Sequence, residues 1–440
     1  MKAAFLTLGC KVNFYETEKM MADFEKHGFQ IVDFSEKADV YVINTCTVTN
    51  IADRKSRKMI HRAKRRNPDS FVVAVGCYVE SSRGKENPDE AVDAAFSNKE
   101  KSEVAEKVLD YLRSTGKTEE PESGMSLHEN TKSGRTRKYL KIQDGCNQFC
   151  SYCTIPYVRG GGVLSSREPQ DVLEEIRRVA AAGCKEVVLT GIHLSSYGVD
   201  RSEEKQFVHL KGAPLVELLQ EANNVPGLER IRLGSLEPRI IGKEFMDGLA
   251  EVNKLCPHFH LSLQSGCDAT LKRMNRHYTS AEYREKCEII RKYYEHPAIT
   301  TDIIAGFPGE TEEEFEKTRE FVREIRLADI HVFPYSVRTG TKAAAMDNQV
   351  SPEVKHRRSE QLIADAARGR RTYEEWFAGR KEKILFEEVR TAGQQKYLVG
   401  HNERYVLFGV PLEEAEKKGY RENEVVLVEI GKENFCAGKL

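Results

Sequence analysis

Three cysteines, each set just after a strand-like apolar run, constrain the first part of this chain more than any other feature. Residues 3–8 lead into Gly9-Cys10, residues 39–43 into Asn44-Thr45-Cys46, and residues 71–75 into Gly76-Cys77. Helical patterns fill the gaps at 17–27 and 53–66. The 36- and 31-residue separations of the cysteines each match one βαβ unit, which takes about 30 residues or more. Parallel strands joined by helices end on one edge of their sheet, where such folds bind ligands. Cys10, Cys46 and Cys77 are therefore expected to converge and to form a three-thiolate site. The competing reading is three buried cysteines acting as small hydrophobes. Repetition at equivalent positions, twice after glycine, favours the site.

A second set is local. Cys146, Cys150 and Cys153 lie in Gly145-Cys146-Asn147-Gln148-Phe149-Cys150-Ser151-Tyr152-Cys153. Cysteine thiolate is the usual ligand of iron–sulfur clusters, and three thiolates leave one iron of a cubane without a protein ligand. Open coordination separates reactive metal centres from structural ones. A zinc site with a remote fourth ligand is the alternative from spacing alone. The run GCNQFCSYCTIP resembles the cluster loop of radical S-adenosylmethionine enzymes. That resemblance implies a [4Fe-4S] cluster whose open iron is chelated by S-adenosylmethionine, with Tyr152 near the adenine. TLGCKVN, NTCTVT and VGCYVE resemble the amino-terminal domain of the methylthiotransferases, one subfamily of those enzymes. A second [4Fe-4S] cluster on Cys10, Cys46 and Cys77 is implied.

The chain has 440 residues, too many for one ordinary core, so two or three domains are expected. Lys plus Arg number 68 against 69 Asp plus Glu, so net charge gives no argument for a nucleic-acid partner. There are 11 cysteines, no charged-then-apolar leader pattern and no run near the roughly 20 residues that span a bilayer. A reducing cytoplasm, no membrane, and cysteines used for metal or chemistry are the expectation. Cys184, Cys256, Cys267, Cys287 and Cys436 fit no ligand spacing and are read as ordinary thiols.

Residues 1–112 form the expected amino-terminal α/β domain. Its helix 54–66 carries Arg57, Lys58, Arg62 and Arg65 among eight cations and no acid. Either this is a solvated helix face, or it contacts phosphate, since clustered cations displace counterions from nucleic acid. Residues 113–136 read as a polar linker. Six strand–helix repeats then follow within 137–378, with strands at 139–143, 186–189, 230–233, 258–263, 299–304 and 329–333. They suggest an incomplete (β/α)6 barrel whose reactive loops follow the strand ends. LTGIHLSSYG, HLSLQSGCDATLKRMNR, TDIIAGFPGET and FPYSVRTGT resemble the same subfamily. The resemblance implies S-adenosylmethionine contacts from the loops at Thr190, Gly191, Ser235, Gln264 and Phe307. Arg273 and Arg276 either reach a carboxylate or phosphate or are solvated.

Within 353–377 a connector helix is expected. Residues 379–440 alternate apolar and polar positions in short runs and read as a small all-β barrel. GRKEKILFEE, YLVGHNERYVLF and NEVVLVEI resemble a TRAM domain, an RNA-binding module. Lys381, Lys396 and Arg404, with Lys383, Arg390, His401, Tyr397 and Tyr405, are its candidate RNA contacts.

The subfamily's chemistry is sulfur insertion and methyl transfer by radical means. LGCKVN resembles the branch acting on N6-threonylcarbamoyladenosine at position 37 of tRNA. The implied partners are a tRNA anticodon stem-loop, an external electron donor and a sulfur donor. The isopentenyladenosine branch, the branch modifying a ribosomal-protein aspartate, and a non-catalytic zinc- and RNA-binding protein are the alternatives.

Overall fold

The computed structural model describes residues 1–82, 89–116, 136–201, 210–431 and 434. Most of the expected 113–136 linker, and Cys436, lie outside the described residues. The described residues gather into two compact units. One draws on 1–131, 145–163 and 336–344; the other on 132–144, 164–335 and 345–440.

The first unit is built on a wholly parallel five-stranded sheet. Its strands are β1 (Lys2–Thr7), β2 (Gln30–Val32), β3 (Val40–Thr45), β4 (Phe71–Gly76) and β5 (Ala94–Phe96), in the order β2-β1-β3-β4-β5. Every residue of β3 and β4 is buried, as a parallel strand covered on both faces requires. Phe24, Val42, Val73 and Val108 fill one side, and Ile43, Ile60, Ala63 and Ala74 the other. The short edge strands β2 and β5 have three residues each, too few for a periodic pattern.

The helices are α1 (Lys11–Lys26), α2 (Asn50–Arg66), α3 (Cys77–Ser82) and α4 (Val104–Ser114). Helix α1 starts directly after Cys10, six residues before the pattern became legible. Its first turns bury the polar Asn13, Glu16 and Thr17, which hides the apolar period. Thr49 caps α2, its side chain accepting from the Ala52 N–H at 3.1 Å, a device that stabilises a helix start by about 1 kcal/mol. Helix α5 (Ile155–Val158) belongs to this unit too.

The second unit contains a six-stranded parallel array: β6 (Arg137–Asp144), β8 (Glu186–Gly191), β9 (Arg230–Leu233), β10 (His258–His260), β11 (Ala298–Ala305) and β12 (Asp329–Pro334). A two-residue strand, β7 (Ser165–Ser166), flanks β6 antiparallel. Two ladders, β6-β8-β9 and β10-β11-β12, are linked by parallel bridges at Ile231–Leu255 and Leu236–Leu261. Helices α6 (Pro169–Ala181), α7 (Ala213–Asn223), α8 (Lys243–Ala250), α9 (Asp268–Arg273), α10 (Ser280–Tyr293) and α11 (Glu312–Ile325) alternate with the strands. Their apolar stripes close the core through Leu173, Leu219, Phe245, Ile290 and Phe315 against Leu140, Leu189, Ile231 and Phe259. Reciprocal capping boxes start α10 (Thr279 with Glu282) and α11 (Thr311 with Glu314). This is the incomplete (β/α)6 barrel.

The long helix α12 (Pro352–Glu375) leads to a four-stranded antiparallel sheet of order β15-β14-β13-β16. It comprises β13 (Lys381–Ala392), β14 (Gln395–Asn402), β15 (Leu407–Pro411), helix α13 (Leu412–Lys417) and β16 (Val425–Glu429). Buried polar contacts fasten it to the barrel. Glu186, fully buried, accepts from Arg137 Nε at 3.0 Å and Arg232 Nε at 2.9 Å. Arg230 donates to the carbonyls of Lys383 at 2.6 Å and His401 at 3.0 Å, and Arg232 to that of Glu403 at 2.9 Å.

Three expected RNA-contact residues also make contacts within the fold. Arg404 donates to the carbonyls of His296 and Glu295, both at 3.0 Å. Tyr405 lies under the guanidinium groups of Arg232 and Arg137, and His401 pairs with Glu387. These contacts help fasten the module to the barrel. Lys381, Lys383, Arg390 and Lys396 stay exposed, Arg390 beside Glu388, while Tyr397 is half-buried.

Candidate active site

Cys10, Cys46 and Cys77 follow β1, β3 and β4, adjacent strands of the first sheet. Gly9 and Gly76 turn the chain with φ of 98° and 99°, a conformation nearly reserved for glycine. A Cβ on Gly9 would lie 2.8 Å from Cys46 Sγ, so the turn also makes room for the thiol. Burial pushes the Cys46 thiol up to about 11, and the neighbouring thiols of Cys77 and Cys10 push the same way. Asn98 Nδ2 stands 3.7 Å from Cys77 Sγ. Cys46 and Cys77 are buried and Cys10 is exposed, and no disulfide occurs among the described cysteines. Buried, mutually repelling thiols give up their protons to a bound cation. The donor set fits an iron–sulfur cluster reached from the Cys10 side.

The other set lies in a short loop of the same unit. Gly145 and Phe149 take left-handed φ of 76° and 47°, and the Cys153 N–H donates to the Cys150 carbonyl at 3.0 Å. Gly162 leaves the Phe149 ring its place, since a Cβ there would approach it to 2.8 Å. The Ala343 N–H holds the Ser151 carbonyl at 2.8 Å. All three cysteines, and Tyr152, are partly exposed. Three accessible thiols on one tight loop fit a cluster with an open position.

A buried charged network joins this loop to α1. Arg159 donates to Glu16 Oε1 at 2.8 Å, to Glu16 Oε2 at 3.0 Å and to Asn13 Oδ1 at 2.8 Å. Lys101 Nζ donates to Glu16 Oε2 at 2.6 Å. Asn13 also donates to the carbonyls of Leu8 and Thr45, just before Cys10 and Cys46, at 2.7 and 3.0 Å. Both cations meet one carboxylate close to the thiols; a Cβ on Gly76 would sit 3.4 Å from Lys101 Nζ. Burial pushes the Lys101 pKa down while Glu16 opposes it. Arg338 reaches Thr47 Oγ1 at 2.6 Å, Asn50 Oδ1 at 2.7 Å and Asp53 at 2.7 Å, holding the loop after Cys46. Sequence reasoning missed Asn13, Glu16, Lys101, Arg159 and Arg338. The one signal was polar residues adjoining the cysteine motifs.

In the second unit the expected contact residues stand at strand carboxyl ends: Thr190 and Gly191 on β8, with Ser235, Gln264 and Phe307 after β9, β10 and β11. Thr190 is buried, Ser235 exposed, and Gln264 buried with φ of 72°. Phe307 is fully buried against Tyr335, so its backbone is the part a ligand can meet. Beside them Glu237 is held at about 2: burial raises its pKa, but Arg276, His193 and Arg239 more than offset it. Arg276 donates to Glu237 at 2.8 Å, and Arg273 pairs with Glu314. Both arginines have carboxylate partners within the fold.

On α2, Arg57, Lys58, Arg62 and Arg65 are exposed with no acidic partner among the described residues, whereas Lys64 pairs with Asp93.

Two family models match parts of the chain: "Radical SAM superfamily" at residues 140–322 and "Uncharacterized protein family UPF0004" at 2–97. The threonylcarbamoyladenosine tRNA methylthiotransferase MtaB of Bacillus subtilis is 39% identical over 415 residues, spanning 92% of this chain and 89% of that protein. Its Aquifex aeolicus namesake is 37% identical, at 92% and 97% coverage. The chain belongs to the radical S-adenosylmethionine methylthiotransferases. The tRNA-2-methylthio-N(6)-dimethylallyladenosine synthase of Pelotomaculum thermopropionicum is 33% identical over 91% of this methylthiotransferase and 90% of its own length. Among solved structures, the radical S-adenosylmethionine methyltransferase TsrM of Kitasatospora setae shares the fold at a TM-score of 0.54 and 15% identity, over 78% of this chain and 75% of that one.

Proposed function

We propose that this methylthiotransferase converts N6-threonylcarbamoyladenosine at position 37 of tRNA to its 2-methylthio form. The carrying observation is that one compact unit holds two separate sets of three cysteines. The names of the B. subtilis and A. aeolicus relatives support the threonylcarbamoyl substrate. Cys146, Cys150 and Cys153 hold one [4Fe-4S] cluster, and Cys10, Cys46 and Cys77 the other. When bound, these clusters with S-adenosylmethionine supply reductive radical generation, sulfur insertion and methyl transfer, work that side chains cannot do.

The chain's own residues orient and shield. Gly9 and Gly76 let three strand ends bring their thiols together, and Asn13 holds two of those ends. Arg159 ties the Cys146 loop to the helix that begins after Cys10, which limits the geometry both sulfur sets can adopt. Burial of Cys46 and Cys77 keeps water from their side of the site. Tyr152 and the loops at Thr190, Gly191, Ser235, Gln264 and Phe307 bind S-adenosylmethionine.

The exposed cations of α2 and Lys381 and Lys396 of a TRAM-like module meet the anticodon stem-loop. Turnover needs an external reductant and a sulfur donor, and tRNA modification puts the enzyme in the cytoplasm; no described helix is long and apolar enough to cross a membrane. The test is mass spectrometry of tRNA nucleosides from a strain lacking the gene. The 2-methylthio-N6-threonylcarbamoyl nucleoside should disappear, return with the wild-type gene, and stay absent with Cys10, Cys46 and Cys77 changed to Ala. Loss of the dimethylallyl counterpart instead would overturn the substrate.

A further inference from the structure

Three side chains on the barrel strands form a cluster outside the cysteine sets and contact loops described above. In the β10-β11-β12 ladder His260 lies opposite Thr300, and Asp302 opposite His331. Side chains alternate faces along a strand, so His260, Thr300, Asp302 and His331 share one face. The other face carries Phe259, Ile299, Ile303 and Ile330 into the helix-covered core. His260 Nε2 is 3.4 Å from Asp302 Oδ2, and one donor atom from each of His260, Asp302 and His331 lies within 4.8 Å of the others. The two imidazoles lie nearly parallel, 29° apart in plane, with centroids 6.1 Å apart.

The surroundings prepare His260 as a ligand. Its Nδ1 is 3.1 Å from Thr300 Oγ1, so the hydroxyl can accept a proton held on Nδ1, and an ion beside Asp302 would then meet the Nε2 lone pair. Metal-bound histidines are commonly oriented in this way through their second nitrogen. Asp302 has no lysine or arginine partner among the described residues, so His260 and His331 are the basic groups that face it. A simple histidine–aspartate pair would account for His260 and leave the second imidazole without a reason. Donors about 2.1 Å from a tetrahedral ion stand about 3.4 Å from one another, the separation already present between His260 and Asp302. His260 and Asp302 are partly exposed and His331 is exposed, so an ion can enter.

We propose that His260, Asp302 and His331 bind one divalent first-row metal ion of the zinc or manganese class. Two imidazoles and a carboxylate suit such ions, whereas thiolates select iron–sulfur clusters. Three protein ligands leave a position open for water or an anionic oxygen.

The test is equilibrium dialysis of the cluster-loaded enzyme against zinc, with zinc and iron counted per chain. Wild type should take up one zinc with no loss of iron. Asp302→Asn and His331→Ala should each weaken that uptake about tenfold or more, with iron content and thermal midpoint unchanged. Divalent manganese, followed by its paramagnetic resonance while the clusters are oxidised and diamagnetic, gives a second probe with the same expected pattern. Zinc uptake equal in wild type and both variants, uptake only as iron is displaced, or no uptake by wild type would each overturn the site.

Discussion

Both units bury arginine around a single carboxylate, and they do so for different ends. In the barrel unit Glu186 faces Arg137, Arg230 and Arg232; Arg230 and Arg232 also donate to carbonyls of the carboxy-terminal module, and Arg137 to the Glu387 carboxylate. Every charge there is absorbed into docking. In the amino-terminal unit Glu16 faces Arg159 and Lys101, and this charged group lies beside cysteines. Buried charge is costly in a low-dielectric interior, and a counter-charge placed beside it lowers that cost. A cluster on three thiolates is anionic and supplies one. The first arrangement serves docking; the second stands where the proposed cluster would add its charge.

The largest expected effect breaks the first arrangement. Glu186→Gln leaves Arg230 and Arg232 without their carboxylate and takes one of two from Arg137, and should cost about 3–5 kcal/mol. Denaturant unfolding should show the loss, with iron content of the folded fraction unchanged. Glu16→Gln sharpens the contrast. It should cost about 3 kcal/mol in the apo protein, less once clusters are loaded, and should lower iron retained during chelator challenge. Equal losses in apo and loaded protein would show that the two networks serve the same end.

A pH series separates docked charge from cofactor-linked charge. Glu237 is depressed to about 2 by Arg276, His193 and Arg239 acting against its burial. A depressed carboxyl contributes stability above its unfolded pKa and loses it as pH falls through the folded one. Relative to an unfolded value of about 4.3, the contribution is about 3 kcal/mol at neutral pH. Wild type should therefore lose stability more steeply than Glu237→Gln between pH 5 and 3, read from urea midpoints. Parallel slopes would remove this carboxylate from the account.

The smallest expected effect on stability comes from exposed charge. Changing Arg57, Lys58, Arg62 and Arg65 together to Ala should shift unfolding by less than about 0.5 kcal/mol. If these residues meet phosphate, the same change should lower the slope of log affinity for tRNA against log salt by about 3. Arg404→Ala should leave that slope alone and destabilise the module, because its guanidinium holds barrel carbonyls.

Much of this was legible in the chain itself. Strand–helix alternation with short loops dictates parallel sheets, because connections are short and right-handed. Hence the cysteines after β1, β3 and β4 could be placed together from spacing alone, and the barrel strands fell within a few residues of their expected bounds. The Cx3CxxC loop is local, so its three thiols were bound to be neighbours. Helix α1 began earlier than its period suggested, because Asn13, Glu16 and Thr17 are buried polar residues that no apolar pattern records.

Tertiary structure alone decided the rest. Whether a cation is exposed, docked or cofactor-facing depends on partners far away in the chain: Arg159 on Glu16, Arg338 on Thr47, Arg404 on His296. A guanidinium in sequence looks the same in all three settings. Burial makes its hydrogen bonds obligatory, so its role follows from whichever acceptors the fold brings within about 3 Å. The same holds for His260, Asp302 and His331, which meet through the register of three adjacent strands, a property of their pairing and of no single segment.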